Sequence, residues 1–227
     1  MMEHVRRRGW DGTIGVVMGL STVVAALHLA DADPAIARQL FFDEARGGWL
    51  GTHEWWANEL LHTGGRNLMR LFGILLIAAW IATFRSLRLA PYRRALGYLA
   101  VCMVVVPLTV GALKHLTHID CPWDLEGFGG HRPVLGWLVA RPAGLPDAAC
   151  FPGAHSSSAF ALFGLYFLWR DDHPPLATLA LVSTVLIGAL FSLAQQARGA
   201  HFLSHDIVSA LIAWLICLVL SRLIILR

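Results

Sequence analysis

The length of its apolar blocks limits what this chain can fold into more than any other feature. Residues 13–29, 67–84, 95–113, 155–169, 175–194 and 206–220 are dominated by Leu, Val, Ile, Ala and Phe. At about 1.5 Å per residue, helices of this length approach or match the roughly 30 Å of a bilayer's hydrocarbon. A soluble domain of the same size would carry more charge: 56% of the 227 residues are hydrophobic and only 15% are charged. The pattern predicts an all-α, polytopic membrane protein with six transmembrane helices, one domain over residues 1–227. The formal net charge of +3 is small and scattered, which argues against a nucleic-acid partner and for the lipid bilayer.

Residues 30–66 alternate between polar and aromatic, with Phe41, Phe42, Trp49, Trp55 and Trp56, and are too charged to cross a membrane. They predict an amphipathic interfacial segment between the first two spans. Arginines cluster in the first residues, between spans two and three, after span four and in the tail. The positive-inside rule puts those parts, both termini included, in the cytoplasm. In a bacterial inner membrane, residues 30–66, 114–154 and 195–205 then form outward loops facing the periplasm.

Polar residues return in three islands, each at the outward end of a span. The first runs from Lys114, the chain's single lysine, to Pro133. The second is Cys150-Phe151-Pro152-Gly153-Ala154-His155, where a new helix would begin. Unpaired N–H groups and the helix dipole at such a start favour an anion, so Gly153 and Ala154 are candidates to cradle a phosphate. The third runs from Arg198 to Asp206; were it helical, Arg198, His201, His205 and Ser209 would share a stripe and Asp206 would point away. Phosphoryl transfer needs cations on the non-bridging oxygens, a nucleophile and an acid for the leaving oxygen. Lys114, Arg132 and Arg198 are the candidate cations; His155, His201 and His205 are the candidate imidazoles. The inventory calls for no metal and no cofactor. The spacing of His201 and His205 would also suit zinc, with His155 as a third ligand, but the basic residues would repel the ion.

Two further groups stand out. Cys121 and Cys150 share one outward loop, where an oxidising compartment permits a disulfide, while Cys102 and Cys217 lie in spans as packing residues. Glu59, His62 and Arg66 share a helical face, able to brace a site, touch a headgroup or meet solvent.

The three islands resemble the three signatures of the type 2 phosphatidic acid phosphatase superfamily, K-x6-R-P, P-S-G-H and S-R-x5-H-x3-D. Lys114 matches the first lysine, but Cys121-Pro122 stands where R-P is expected, and Arg132-Pro133 lies eleven residues later as a possible substitute. Pro152-Gly153-Ala154-His155 is similar to P-S-G-H with glycine for serine. In the third signature Gln195 occupies the arginine position, so Arg198 must reach in, and His205 occupies the aspartate position with Asp206 one further. Asp120 to Leu125 and Arg198 to His205 further resemble a divergent, membrane-associated bacterial branch. The resemblance implies His201 as nucleophile held by His205 or Asp206, His155 as general acid, and Lys114, Arg132 and Arg198 as phosphate holders. A shifted register would make His205 the nucleophile with Ser209 beside it. The implied function is metal-independent hydrolysis of a lipid phosphate monoester or pyrophosphate on the periplasmic side, through a phosphohistidine. Undecaprenyl pyrophosphate, lipid A and phosphatidylglycerol phosphate are candidate substrates. The alternatives are a lipid-linked phosphotransferase on the same site and a non-catalytic transporter or binding protein for an anionic lipid.

Overall fold

The structure, a computed structural model, describes residues 2–45, 47–136, 139 and 141–225, with side chains from Gly12 onward. It is mostly helical. Helix α1 covers Met2–Leu29 and α2 covers Ala32–Leu40. A two-stranded antiparallel hairpin follows, β1 Phe42–Asp43 and β2 Gly48–Trp49, with Phe42 opposite Trp49. This hairpin departs from the all-α expectation. Its aromatic residues pack edge-on, Phe42 against Trp49 at 5.4 Å, and pin the segment to the outer cap.

The expected interfacial segment is also shorter than residues 30–66. A π-wound stretch, Trp56–Gly64, runs without a break into α3, Gly65–Ala82. Together they form one 27-residue apolar helix. Its start is fixed by Asn58, whose side-chain amide donates to the carbonyls of Gly51, Thr52 and Glu54. The polar residues that read as an interfacial face therefore belong to the outward turns of a spanning helix.

Helices α4 (Arg93–Thr117), α7 (Pro174–Ala197) and α8 (Leu203–Leu220) match their expected blocks closely. The block at 155–169 does not form one helix. It divides into α5, Ala154–Phe160, and α6, Phe163–Trp169. Ser156, Ser157 and Ser158 each bond back to the carbonyl three residues earlier, which competes with regular helix bonding. The amides of Leu162, Gly164 and Leu165 likewise bond three residues back rather than four. Among the described residues, five helices are thus long and apolar enough to cross a membrane, against six expected. The α5–α6 pair instead fills the middle of the bundle, packed against α4, α7 and α8.

The core lies along those contacts. Trp214 of α8 meets Phe163, Tyr166 and Phe167, and Tyr98 of α4 donates its hydroxyl to the Cys217 carbonyl at 2.9 Å. Cys102 and Cys217 are buried in this core as free thiols. In lipid, helix association rests on close packing more than on hydrophobic burial. The Phe160 ring accordingly sits where a Cβ on Gly188 would be. Leu71, Ile74, Leu179, Val182, Leu186 and Val219 are exposed on the outside, a belt no soluble surface would carry.

The long loop after α4 closes the outer end. Cys121 and Cys150 form a disulfide, their Cα atoms 5.1 Å apart. Asp120 accepts hydrogen bonds from both Arg132 and Arg141. Below this, Ala37, Trp49, Leu125, Phe128 and Phe202 make a small apolar cluster that ties α2, the hairpin, the loop and the start of α8 together.

Candidate active site

The third island is not a helix. Arg198 caps α7, and Gly199 turns the chain with φ +76° in a space where a side chain would strike the Trp49 ring. Ala200, His201 and Phe202 lead on to α8, which begins only at Leu203. Its first turn is held from α2: Asp33 accepts the Ser204 N–H at 3.0 Å, while burial raises the Asp33 carboxyl above its ordinary range. The expected stripe of Arg198, His201, His205 and Ser209 therefore does not exist. The break rotates His201 away from it and toward Asp206, the residue that a continuous helix would have turned aside.

His201 Nδ1–H donates to Asp206 Oδ1 at 2.9 Å, and Ser156 Oγ–H donates to the same oxygen at 2.6 Å. All three are buried. An ionised carboxylate only accepts, so Asp206 fixes the tautomer with the proton on Nδ1 and leaves a lone pair on Nε2. Gly153 makes this pairing possible, because a Cβ there would lie 2.3 Å from Asp206 Oδ1 and 2.8 Å from His201 Nδ1. Gly153 is itself pinned between elements. Its N–H donates to the His205 carbonyl at 3.0 Å, and its carbonyl accepts Ser209 Oγ–H at 2.8 Å. That N–H is thus taken by α8, and Ala154 rather than Gly153 reaches the cavity described next.

His201 opens onto a cavity of about 720 Å³, together with Lys114, His155 and Arg198. His155 Nε2–H donates to the Leu61 carbonyl at 3.1 Å, and its ring stacks on Phe191 at 4.5 Å. Arg198 is aimed by two partners: Nε donates to Asn58 Oδ1 at 2.8 Å and Nη1 to Gln195 Oε1 at 2.7 Å. Gln195 Nε2 in turn donates to His62 Nδ1 at 2.7 Å, and the His62 ring lies 4.9 Å from that of His155. Burial, and then the charge of Arg66, lower Arg198 from its ordinary value.

Two sequence candidates lie elsewhere. Arg132 is held by Asp120 and, at 3.4 Å, by Asp124, and is not among the residues that line the cavity. His205 is buried behind His201, its Nδ1–H donating to the Cys150 carbonyl at 3.0 Å. It borders a different cavity of about 400 Å³, on the α2 side. Sequence reasoning passed over Asn58, Ser156, Gln195 and Arg70. Asn58, His62, Arg66 and Arg70 recur every four residues along the continuous helix Trp56–Ala82, a periodic polar stripe in the sequence.

The cavity continues inward between α3 and α4, where Met69, Ile74, Ile77, Met103 and Pro107 line it. One end is basic and the other apolar, as a phosphorylated lipid requires. The family model described as PAP2 superfamily matches residues 95–226, more than half of the chain. The chain belongs to the PAP2 superfamily. No curated protein and no solved structure matches it. The match covers α4 to α8 and so includes Lys114, His155, Arg198, His201 and Asp206. It does not extend over α1 to α3, and so does not include Asn58, His62, Arg66 or Arg70. Members of the PAP2 superfamily are generally phosphatases of lipid-type substrates, which makes this chain a phosphoric ester hydrolase at that level. Its apolar helices make it a multi-pass membrane protein.

Proposed function

We propose that this PAP2 member removes the phosphate from a lipid phosphate monoester or pyrophosphate at the periplasmic face of a bacterial inner membrane, through a phosphohistidine on His201. One observation carries the reading: the Asp206-bound His201 opens on a basic cavity that runs into an apolar groove.

Lys114 and Arg198 hold the non-bridging oxygens and balance the charge that develops on them. The His201 Nε2 lone pair forms a P–N bond as the P–O bond to the lipid breaks. His155, its Nε2–H held by the Leu61 carbonyl, acts as the imidazolium and gives the departing oxygen its Nδ1 proton. Asp206 stabilises the positive charge that grows on the His201 ring, as the carboxylate of a catalytic triad does. Water then attacks phosphorus, the P–N bond breaks, and His155 takes the proton back as inorganic phosphate leaves. The scheme uses no metal, and turnover should withstand chelators. The arginines on the opposite ends of the helices support an outward-facing site, with α5 and α6 as a sixth, broken crossing.

The test is release of inorganic phosphate from a panel of lipid phosphates and pyrophosphates, with His201→Ala and His155→Ala alongside. His201→Ala should lose turnover by roughly 10⁴-fold or more and trap no phosphoenzyme. Full activity in that variant would remove the mechanism. Transfer of phosphate to an added alcohol in place of water would make the site a phosphotransferase, and lipid binding with no phosphate released would make the chain a carrier.

A further inference from the structure

Helix α3 carries two arginines where a membrane protein has little reason to keep them. Arg66 and Arg70 lie within Trp56–Ala82, a helix long and apolar enough to cross a bilayer. A charged side chain in such a helix is costly unless an opposite charge meets it. Both residues line the cavity of His201, His155, Lys114 and Arg198. Among the described residues that line it, there is no Asp or Glu. Arg66 Nε is buried and finds no hydrogen-bond partner among the described residues. Asp206 is not among the residues that line the cavity, and its Oδ1 is taken by His201 and Ser156.

The cavity thus holds four cationic side chains with no internal counter-charge. Lys114 and Arg198, with the two imidazoles, already suffice for one phosphoryl group and its three non-bridging oxygens. Arg66 and Arg70 are one turn apart on the same face, about 6 Å along the axis. They lie inward of His62, on the way to the apolar groove at Ile74 and Ile77. A ligand that neutralises both pairs carries its second anionic group between the scissile phosphate and the lipid tail.

We propose that Arg66 and Arg70 form a second phosphoryl subsite, so that the substrate is a lipid bearing two phosphoryl groups, of which the terminal one is cleaved. The proposal rests on the phosphatase reading above and narrows it. The inner phosphoryl is held by α3 as part of the leaving group, and the tail follows the groove between α3 and α4. These arginines lie outside residues 95–226, the part that the family model matches. Two kinds of lipid meet the description: a diphosphate, with adjoining phosphoryl groups, and a phosphodiester whose glycerol carries a terminal phosphate.

The experiment compares three substrates with one alkyl chain: the monophosphate, the diphosphate, and the glycerol phosphodiester with a terminal phosphate. Phosphate release is measured on full-length protein in neutral detergent micelles, so that bulk lipid phosphate does not fill the subsite. Wild type should prefer one of the two-phosphoryl substrates by about tenfold to a hundredfold in kcat/KM, the worth of one or two charge-assisted hydrogen bonds. Arg66→Gln and Arg70→Gln should each lose about tenfold more on that substrate than on the monophosphate, mostly through KM. Arg66→Lys, which keeps the charge, should retain part of the preference. Equal turnover of all three substrates by wild type, or a proportional loss on all three in Arg66→Gln, overturns the subsite while leaving the phosphatase intact. No release from any of the three overturns the phosphatase reading and the subsite with it.

Discussion

Replacing Gly153 by alanine adds a single methyl group at the most crowded point of the site. The new Cβ would stand 2.3 Å from Asp206 Oδ1, 2.8 Å from His201 Nδ1 and 3.0 Å from His201 Cε1. A carbon and an oxygen in ordinary contact lie about 3.3 Å apart or more, so something must move by about 1 Å. Neither side has slack. Asp206 Oδ1 is held at 2.6 Å by Ser156 and at 2.9 Å by His201. Gly153 is held by His205 through its N–H and by Ser209 through its carbonyl. Overpacking of this kind costs about 1–3 kcal/mol, which lowers Tm without preventing folding. A displacement of about 1 Å in a catalytic group costs roughly 10²-fold in rate. Phosphate release by Gly153→Ala should therefore fall about a hundredfold in kcat, with a smaller change in KM, in protein that still runs as a single species on size exclusion. Gly153→Ser should be at least as poor, although it writes the usual family residue into the second signature. Wild-type turnover in either variant would show that the His201–Asp206 pairing is not what the site depends on.

Asp206→Asn keeps the shape but removes the charge and the forced tautomer; turnover should fall roughly 10³- to 10⁴-fold, measured as phosphate release at saturating substrate. Asn58→Leu frees the Nε side of Arg198, which holds the phosphoryl oxygens and balances the charge that develops on them, so kcat/KM for the lipid phosphate should fall about tenfold. An unchanged kcat/KM would show that Arg198 does not depend on this partner. Thiol labelling of denatured, unreduced protein should count two reactive groups, Cys102 and Cys217, and four after reduction, because Cys121 and Cys150 are joined. Four before reduction would remove the loop closure.

The outer rim shows how far reading residues one by one can go. Lys114, His155, Arg198 and His201 were marked by chemistry that apolar blocks do not tolerate without a purpose, and all four line one cavity. Arg132 was marked by the same logic, yet Asp120 and Asp124 claim it within the loop. Nothing in its neighbourhood along the chain separates it from Arg198; only the pairing across the loop does. Gln195 reads as a loss against the family signature, but it is the residue that joins Arg198 to His62. Asn58 escaped notice, and Arg66 stood only as part of a face with Glu59 and His62, because their segment reads as interfacial until it is known to continue into α3.

What the chain alone determines is its partition between oil and water. Long apolar runs, arginines at one set of ends and polar islands at the other follow from side-chain transfer energies, which depend little on the rest of the molecule. What only tertiary structure decides is which polar group meets which. Gly199 ends one helix and Leu203 begins the next, and the turn between them gives Asp206 to His201 and sends His205 to the Cys150 carbonyl. A helical rule presumes an unbroken helix, and hydrogen bonds that close a site span fifty residues or more, as from Ser156 to Asp206. Their partners are chosen by how α3, α5 and α8 pack, which no local pattern encodes.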